Sequence, residues 1–212
     1  GTFLKDSVGL GSDLQQSIGG AQAVFKKNFD QIDESARTAA TSLGLSRNEY
    51  NELATVLGAG LKNQGIKDFT GNTQDLIKIG ADLAATYGGD VTDAVDAIGS
   101  AMRGESDPIE RYGIALNETK VNAYLAKNGL SDLKGEALTQ AKAQARVALI
   151  TEQSADALGS FGRESDTLAG KQARLSASWD DIKAQVGTAL LPALTDLSGW
   201  FLEDGLPAIK DF

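Results

Sequence analysis

The side chains that most often carry enzyme chemistry are absent or unsuitably spaced in this chain. The sequence contains no histidine and no cysteine, so it lacks the commonest general base, the thiol nucleophile and the usual zinc ligands. Adjacent carboxylates occur at Asp33-Glu34 and Asp180-Asp181, but sequence neighbours on a helix point in different directions. We read both pairs as solvated helix faces and predict no catalytic residue, no metal site and no enzymatic activity.

Glycine-containing stretches that could cradle a phosphate also lack essential positions. The glycine pairs at 9/11 and 58/60 have neither the third glycine nor the preceding strand of a dinucleotide-binding loop. Gly170-Lys171 is followed by Gln172 instead of serine or threonine, which argues against a phosphate-binding loop. No Asp-x-Asp-x-Asp-Gly run indicates a calcium site. The sequence therefore predicts no cofactor.

The most distinctive charged stretch is RGESDPIERYGIAL at residues 103–116, which reads as two helix stops around one helix start. Gly104 and Gly113 are expected to end helical segments in the left-handed conformation. Asp107 is expected to cap the short turn between them, with Pro108 at its first position and Glu110 completing a capping box. We assign eight residues to this structural corner: Arg103, Gly104, Glu105, Asp107, Pro108, Glu110, Arg111 and Gly113.

Two readings of the charges in this corner remain open. The four side chains of Arg103, Glu105, Glu110 and Arg111 either staple an inter-helix corner or form a binding site. In both readings Ile114 is expected to return the chain to the core.

Hydrophobic periodicity and helix-end signals place helices along most of the chain. Gly44 is expected to end one helix, and Ser46 with Glu49 forms a capping box that opens the next. Further on, Gly88-Gly89 is a stop signal and Asn117 a start signal. No β-branched run alternates between turn signals, so a sheet is not expected. The predicted fold class is all-α, a set of elongated helical hairpins or a bundle with glycine-rich corners.

The longest predicted helix begins after Asp166, which we expect to cap it, and carries a one-sided row of large apolar residues. Such a row fits packing along another helix, either residues 139–158 of the same chain or a partner copy, with Trp179 as a core anchor. Pro192 is expected to kink or break the helix. The row and the patch after Pro192 are our candidate self-association residues: Leu168, Leu175, Trp179, Ile182, Val186, Leu190, Leu194, Leu197, Trp200 and Phe201.

Composition adds limits on organisation and partners. With 212 residues, 24 glycines and 6% aromatic residues, the chain predicts thin, alanine-rich helix packing. We divide it into a loosely ordered leader (1–20), a helical core domain (21–194) and the incomplete start of a following apolar segment (195–212). The net charge of −9 argues against a surface that neutralises nucleic-acid phosphates. No apolar run approaches the length of about 20 residues that crosses a bilayer.

Three separated stretches resemble one family in the right order. Residues 103–116 are similar to the "LRGE-DP-ERYG" signature of the tape measure proteins of long-tailed bacteriophages. Residues 43–65 (LGLSRNEYNELATVLGAGLKNQG) resemble the helix-turn-helix stretch that precedes this signature in the family. Residues 165–194 (SDTLAGKQARLSASWDDIKAQVGTALLPAL) resemble the long helix that follows it and ends in a leucine-proline step.

This resemblance implies a structural virion protein. Tape measure proteins are long and mostly helical, lie in the lumen of the phage tail, set tail length and nucleate assembly of the tail tube. They leave the particle ahead of the DNA at infection. The implied partners are other copies of the chain, with three copies favoured, tail tube proteins, tail tip or distal tail proteins, and tail assembly chaperones in the host cytoplasm.

Two other functions remain as alternatives. Some tape measure proteins carry cell-wall hydrolase modules, so a lytic module is one alternative, although the low aromatic content offers little for stacking on sugars. The other is a generic helical adaptor of a tail protein. Turnover of purified peptidoglycan separates the first alternative from a structural role.

Overall fold

The structure, a computed structural model, describes residues 2–164 and 166–200. Within these ranges the chain is helical and contains no strand, which confirms the all-α fold class. The helices are α1 Thr2–Phe25, α2 Phe29–Leu43, α3 Arg47–Asn63, α4 Phe69–Tyr87, α5 Val91–Met102, α6 Asp107–Glu110, α7 Glu118–Lys127, α8 Gly135–Gln153, α9 Ser160–Glu164 and α10 Leu168–Trp200. A short 3₁₀ turn, Lys26–Asn28, joins α1 to α2.

Local sequence signals set many of the helix ends. Gly44 ends α2 in the left-handed conformation, with φ of 70°. Ser46 and Glu49 then form the expected reciprocal capping box at the start of α3. Asn117 caps α7 by accepting a hydrogen bond from the backbone N–H of Lys120. These ends depend on residues within one helical turn, which is why the sequence predicts them.

Two other ends differ from the sequence prediction. The Asp166 side chain does not cap α10: the hydroxyl of Thr167 accepts the backbone N–H of Gly170 instead, at 3.1 Å. The helix then continues through Pro192 to Trp200, so the proline does not break it. Pro192 is exposed, and it lacks the N–H that would bond the backbone carbonyl of Thr188 one turn earlier.

The apolar core is built around α4, which is buried on most of its circumference. Helices α2 to α8 and the carboxyl-terminal end of α1 pack around it and form one cluster of buried residues. Its largest fully buried side chains belong to α1 to α5, to the turn between α2 and α3 and to the corner. We call α2 to α9, with the last turn of α1, the body of the molecule.

The amino-terminal segment is the clearest departure from the expected organisation. Residues 2–20, predicted to be a loosely ordered leader, belong to the continuous helix α1. Three of the small residues that suggested disorder, Ser7, Gly11 and Ser17, are buried on the contact face of this helix. Glycine lowers the stability of an isolated helix, but it permits close approach of a neighbouring helix. Here the neighbours are α3 and α10, and α1 packs on both.

Candidate interaction surface

The corner at residues 103–116 is an anchored turn of the body. Gly104 and Gly113 have positive φ, of 97° and 72°. Ile109, Ile114 and Leu116 are buried in the core. The apolar half of this stretch therefore holds the turn in place.

The capping arrangement in the corner differs from the prediction. The short helix α6 begins at Asp107 with Ser106 at the cap position, and no side-chain cap bond is formed. Instead, the Ser106 hydroxyl donates to the carbonyl oxygen of Leu116 across the turn. The capping box of Asp107 and Glu110 is therefore wrong, because the turn starts one residue earlier than the sequence suggests.

The charged residues of the corner form few contacts. Arg103 and Glu105 lie 3.7 Å apart with both side chains largely exposed, and such pairs contribute little to stability. Arg111 stacks on the ring of Tyr112, 5.4 Å from its centroid, and donates weakly to the carbonyl oxygen of Gly88 at 3.4 Å. These contacts join the corner to the turn between α4 and α5, and they do not converge on a shared pocket.

A residue that the sequence reasoning missed anchors the corner from outside. The side-chain amide of Gln153, in the last turn of α8, makes two hydrogen bonds with the backbone of Ala115. Their lengths are 3.0 Å from the Ala115 N–H and 3.1 Å to its carbonyl oxygen. A single glutamine at a helix end has no local signature, so only the fold reveals this role.

The predicted self-association row lies on the outer face of α10. Leu175 is 71% exposed, Trp179 50% and Ile182 47%. Val186 and Leu190 are half-buried, and Leu194 is exposed. The side chains of Leu168, Leu197 and Trp200, and all of Phe201, lie outside the described residues.

The other face of α10 contacts α1, and its side chains are small. Ala177, Ala184 and Gly187 are the buried residues of α10. A Cβ added at Gly187 would overlap the backbone carbonyl of Ser7, and one added at Gly11 would overlap the backbone of Thr188. The helix-to-helix distance is therefore set by glycine on both sides. The large residues that the sequence assigned to packing point away, and helix 139–158 is not the principal neighbour of α10.

The outer row of α10 continues onto α1. The rings of Phe3 and Trp179 are 6.0 Å apart, and both residues are roughly half exposed. Leu4 is also exposed. We call the surface formed by Phe3, Leu4, Leu175, Trp179, Ile182 and Leu194 the outer apolar face. Trp179 therefore belongs to this face and is not the core anchor that the sequence suggested.

An ion-pair network centred on Arg47 joins α10 to the body. The Arg47 backbone N–H donates to Asp181 of α10 at 2.7 Å, and its guanidinium lies 2.6 Å from Asp33 of α2. Arg37 adds a second contact to Asp33 at 2.8 Å. Burial alone would raise the pKa of Asp33, but hydrogen bonds and charge from Arg47 and Arg37 outweigh it, so the pKa is lowered.

A groove of about 840 Å³ lies beside this network, between α10 and helices α3 to α5. Small residues line both walls, and the carboxylates that face it belong to Glu49, Asp90, Asp93, Glu164 and Asp180. Among the described residues, no lysine or arginine lines it. Glu49 is already engaged as the acceptor in the capping box of α3, with its carboxylate 2.7 Å from the Ser46 backbone N.

The described residues contain neither a candidate metal site nor a candidate membrane span. Across residues 2–164 and 166–200, no group of three or more acidic, histidine or cysteine residues could hold a metal ion. In the same part of the chain, no helix combines the length and the apolar character that a membrane crossing requires. Comparisons of the chain with models of protein families, with curated proteins and with solved structures found no match.

Proposed function

We propose that this chain is a domain of a phage tail tape measure protein. In this role it is a structural virion component inside the tail, part of the protein that sets tail length, nucleates the tail tube and leaves ahead of the DNA. The proposal starts from the three ordered sequence stretches that resemble the family. The observation that carries it is that these stretches form one connected unit.

The contacts between the stretches support this proposal. The first stretch touches the third through the hydrogen bond from Arg47 to Asp181. It reaches the residue before the second stretch through Gln64, whose amide donates to the carbonyl oxygen of Met102 at 3.0 Å. This arrangement is the one expected if the three stretches belong to a single domain.

The outer apolar face supports a role in an assembly. Monomeric soluble proteins seldom expose several large apolar side chains together, yet α10 presents Leu175, Trp179 and Ile182 on one side. Copies arranged around the axis of a tail, or a tube or tip protein, would cover this face. The proposed partners are therefore other copies of the chain, with three favoured on resemblance, and tail proteins.

The groove does not favour the lytic alternative. A glutamate-dependent hydrolase needs a carboxyl group held over the sugar, but of the two glutamates that line the groove Glu49 is engaged at the start of α3 and Glu164 is exposed. The only aromatic residue in the described lining is Phe161. These features support a structural role over a cell-wall-degrading one.

Protease protection in purified particles tests the proposal. An antibody against this chain should detect it in isolated tails, protected from added protease while the tails are intact. After DNA release is triggered, the protected signal should disappear because the protein has left the lumen. A chain that is missing from purified tails, or that is cleaved equally before and after release, would contradict the proposal.

Insertions into the phage gene test how this domain relates to tail length. An insertion of about 14 residues after Asn63 or Gly129 should impair assembly by disturbing the fold, without lengthening the tail. The same insertion in an extended helical stretch elsewhere in the protein should lengthen the tail by about 1.5 Å per residue. Tails that lengthen in proportion to insertions at Asn63 would assign the measuring length to this domain instead.

A further inference from the structure

The first half of α10 covers the groove without joining the core of the body. The cluster of buried apolar residues contains no described residue of α10. Among the described side chains of α10, the buried apolar ones are those of Ala177 and Ala184. Moving residues 169–181 away from the body would therefore expose one buried apolar side chain of α10, that of Ala177, so α10 itself adds little to the hydrophobic cost of that movement.

Besides the Arg174 guanidinium, which lies 5.4 Å from the centroid of the Phe161 ring, two contacts fix this half of α10 to the body. At the first, Ala173 and Phe161 approach the end of α2, where a Cβ added at Gly44 would lie 3.4 Å from the Ala173 Cβ. At the second, Asp181 accepts the backbone N–H of Arg47 at 2.7 Å. Between and beside them lies the groove of about 840 Å³. The attachment is thus local and partly polar.

The charges across the groove oppose this attachment. Asp181 on α10 lies within electrostatic range of Glu49 on the body, and Asp180 lines the groove together with Glu49, Asp90 and Asp93. Burial raises the pKa of Asp181, Arg47 lowers it, and the negative charges of Glu49 and Asp180 raise it further. Like charges on both walls repel, so the closed position is less stable when all of them are ionised.

The cations near this contact are engaged elsewhere. The guanidinium of Arg47 pairs with Asp33, which also holds Arg37. Lys183 lies 3.0 Å from Asp180 and neutralises part of its charge. The Asp181 carboxylate consequently accepts the backbone N–H of Arg47 but forms no ion pair with the Arg47 guanidinium, which is bound to Asp33.

We propose that residues 169–181 of α10 form a lid that opens and closes over this groove while the body stays folded, with the Asp181–Arg47 hydrogen bond as its latch. The proposal rests on the geometry of the contact and not on the proposed tail function. Salt should favour closure because it screens the opposing carboxylates. Lower pH should also favour it, since protonation of a group whose pKa is raised in the closed state stabilises that state.

The amide of Arg47 reports the latch directly. It is one of the first amides of α3, which have no partner within the helix, and its acceptor is Asp181. The amide of Glu49 lies in the same turn but bonds to the Ser46 hydroxyl at 3.2 Å. NMR measures the protection of each of these two amides against hydrogen exchange. Fraying of α3 and the intrinsic pH dependence of exchange affect both amides, so the ratio of the Arg47 protection to the Glu49 protection reports closure of the lid.

The chain itself supplies matched variants. In the wild type, the Arg47 protection relative to Glu49 should rise by about threefold or more between low and high ionic strength. Asp181→Asn keeps an acceptor and removes the charge, so the ratio should be high and should no longer respond to pH. Asp181→Ala should abolish Arg47 protection and speed exchange in residues 169–181, while core amides of α4 stay unchanged.

Two results would contradict the proposal that residues 169–181 form a lid. In one, residues 169–181 and Arg47 exchange only at the rate of the α4 core amides, which would make α10 part of the cooperative unit. In the other, Asp181→Ala leaves the Arg47-to-Glu49 ratio unchanged, which would mean that Asp181 is no latch. Comparison of Asp181→Asn with Asp181→Ala separates the loss of charge from the loss of the acceptor.

Discussion

At the scale of single residues, polar side chains that form two hydrogen bonds hold α9 and the corner in place. The buried carboxylate of Asp82 in α4 accepts the backbone N–H groups of Gly159 and Phe161, at 2.9 and 3.0 Å. Gln153 binds both backbone groups of Ala115 in the same manner. Leaving such groups unpaired in a buried site costs about 1–3 kcal/mol each. These residues therefore position α9 and the corner more firmly than the exposed charges do.

Asp33 should make stability depend on pH. Its pKa is lowered in the folded state, so its contribution is present above the unfolded pKa and is lost as pH falls through the folded one. Asp33→Asn should lower the free energy of unfolding at pH 7 by about 1–2 kcal/mol, between the values for exposed and buried ion pairs. Below the folded pKa the variant and the wild type should converge. Denaturant unfolding at several pH values measures this difference.

Arg37 is the control for that experiment, because its side chain is 64% exposed while that of Arg47 is 21% exposed. Arg37→Ala should change stability by no more than about 0.5 kcal/mol. An Asp33→Asn variant whose destabilisation persists unchanged at low pH would point to lost packing instead of lost charge.

The corner offers a second residue-scale prediction. Ser106→Ala removes the hydrogen bond from Ser106 to Leu116 and should cost about 1 kcal/mol. Asp107→Ala removes an exposed side chain that caps nothing and should stay within about 0.5 kcal/mol of the wild type. Urea unfolding of the two variants shows whether Ser106 or Asp107 stabilises the turn. The opposite order would mean that Asp107 is the cap, as the sequence suggests.

At the scale of elements, α10 presents two opposite faces, and the small one is inside. Gly187 of α10 lies against Ser7 of α1, and Thr188 lies against Gly11, whereas Leu175 and Trp179 are exposed. The exposed row repeats at three- and four-residue spacings, which suit contact with another helix. The glycine contact lets α1 and α10 approach more closely than leucine or tryptophan would permit. The pair thus gains close backbone packing and leaves its large side chains outside.

Two glycines of α1 test this packing as a matched pair. A Cβ at Gly9 would meet no atom within 4 Å, while one at Gly11 would overlap the backbone of α10. Gly9→Ala should therefore stabilise the protein by about 0.5–1 kcal/mol through helix propensity. Gly11→Ala should destabilise it by about 1–3 kcal/mol through overpacking. Thermal unfolding measures both, and equal effects would show that α1 and α10 are not in close contact.

At the scale of the whole molecule, the outer apolar face is the feature that an isolated chain does not explain. It joins Phe3 and Leu4 of α1 to the row on α10, beside the ring contact of Phe3 with Trp179. The body, in contrast, buries its large side chains in one cluster. Assembly with further copies or with tail proteins would give the outer face the cover that the monomer lacks.

Trp179→Ala tests this assembly. Because Trp179 is half exposed, its loss should lower the free energy of unfolding of the monomer by only about 1 kcal/mol. It should weaken self-association by about tenfold or more, as for a central aromatic residue of an interface. Sedimentation velocity over a range of concentrations measures the association.

Val56 provides the control for that measurement. It is 66% exposed on α3 and does not belong to the outer apolar face. Val56→Ala should leave both stability and association close to those of the wild type. A wild-type chain that stays monomeric at every concentration would contradict self-association through this face and would leave a tail protein as its proposed partner.

The sequence by itself determined the helical class and many of the helix ends. Gly44, Ser46, Gly88 and Asn117 mark boundaries that the structure has, because capping and left-handed glycine act within about one turn of chain. It misplaced the cap at Asp107, where the bond of Ser106 to Leu116 spans ten residues. That bond exists only once the corner has folded.

Only the tertiary structure decided which faces of the helices are buried. From sequence, the glycine and serine of residues 1–20 indicate weak order, and the large row of α10 indicates a face that packs on residues 139–158 or on a partner copy. In the structure residues 2–20 are helical and the row does not pack on residues 139–158, because Gly11 and Gly187 allow a close backbone contact between α1 and α10. Periodicity identifies a face that can pack but not its neighbour, since that choice depends on the distance that the two backbones reach. For α1 and α10, small side chains set that distance.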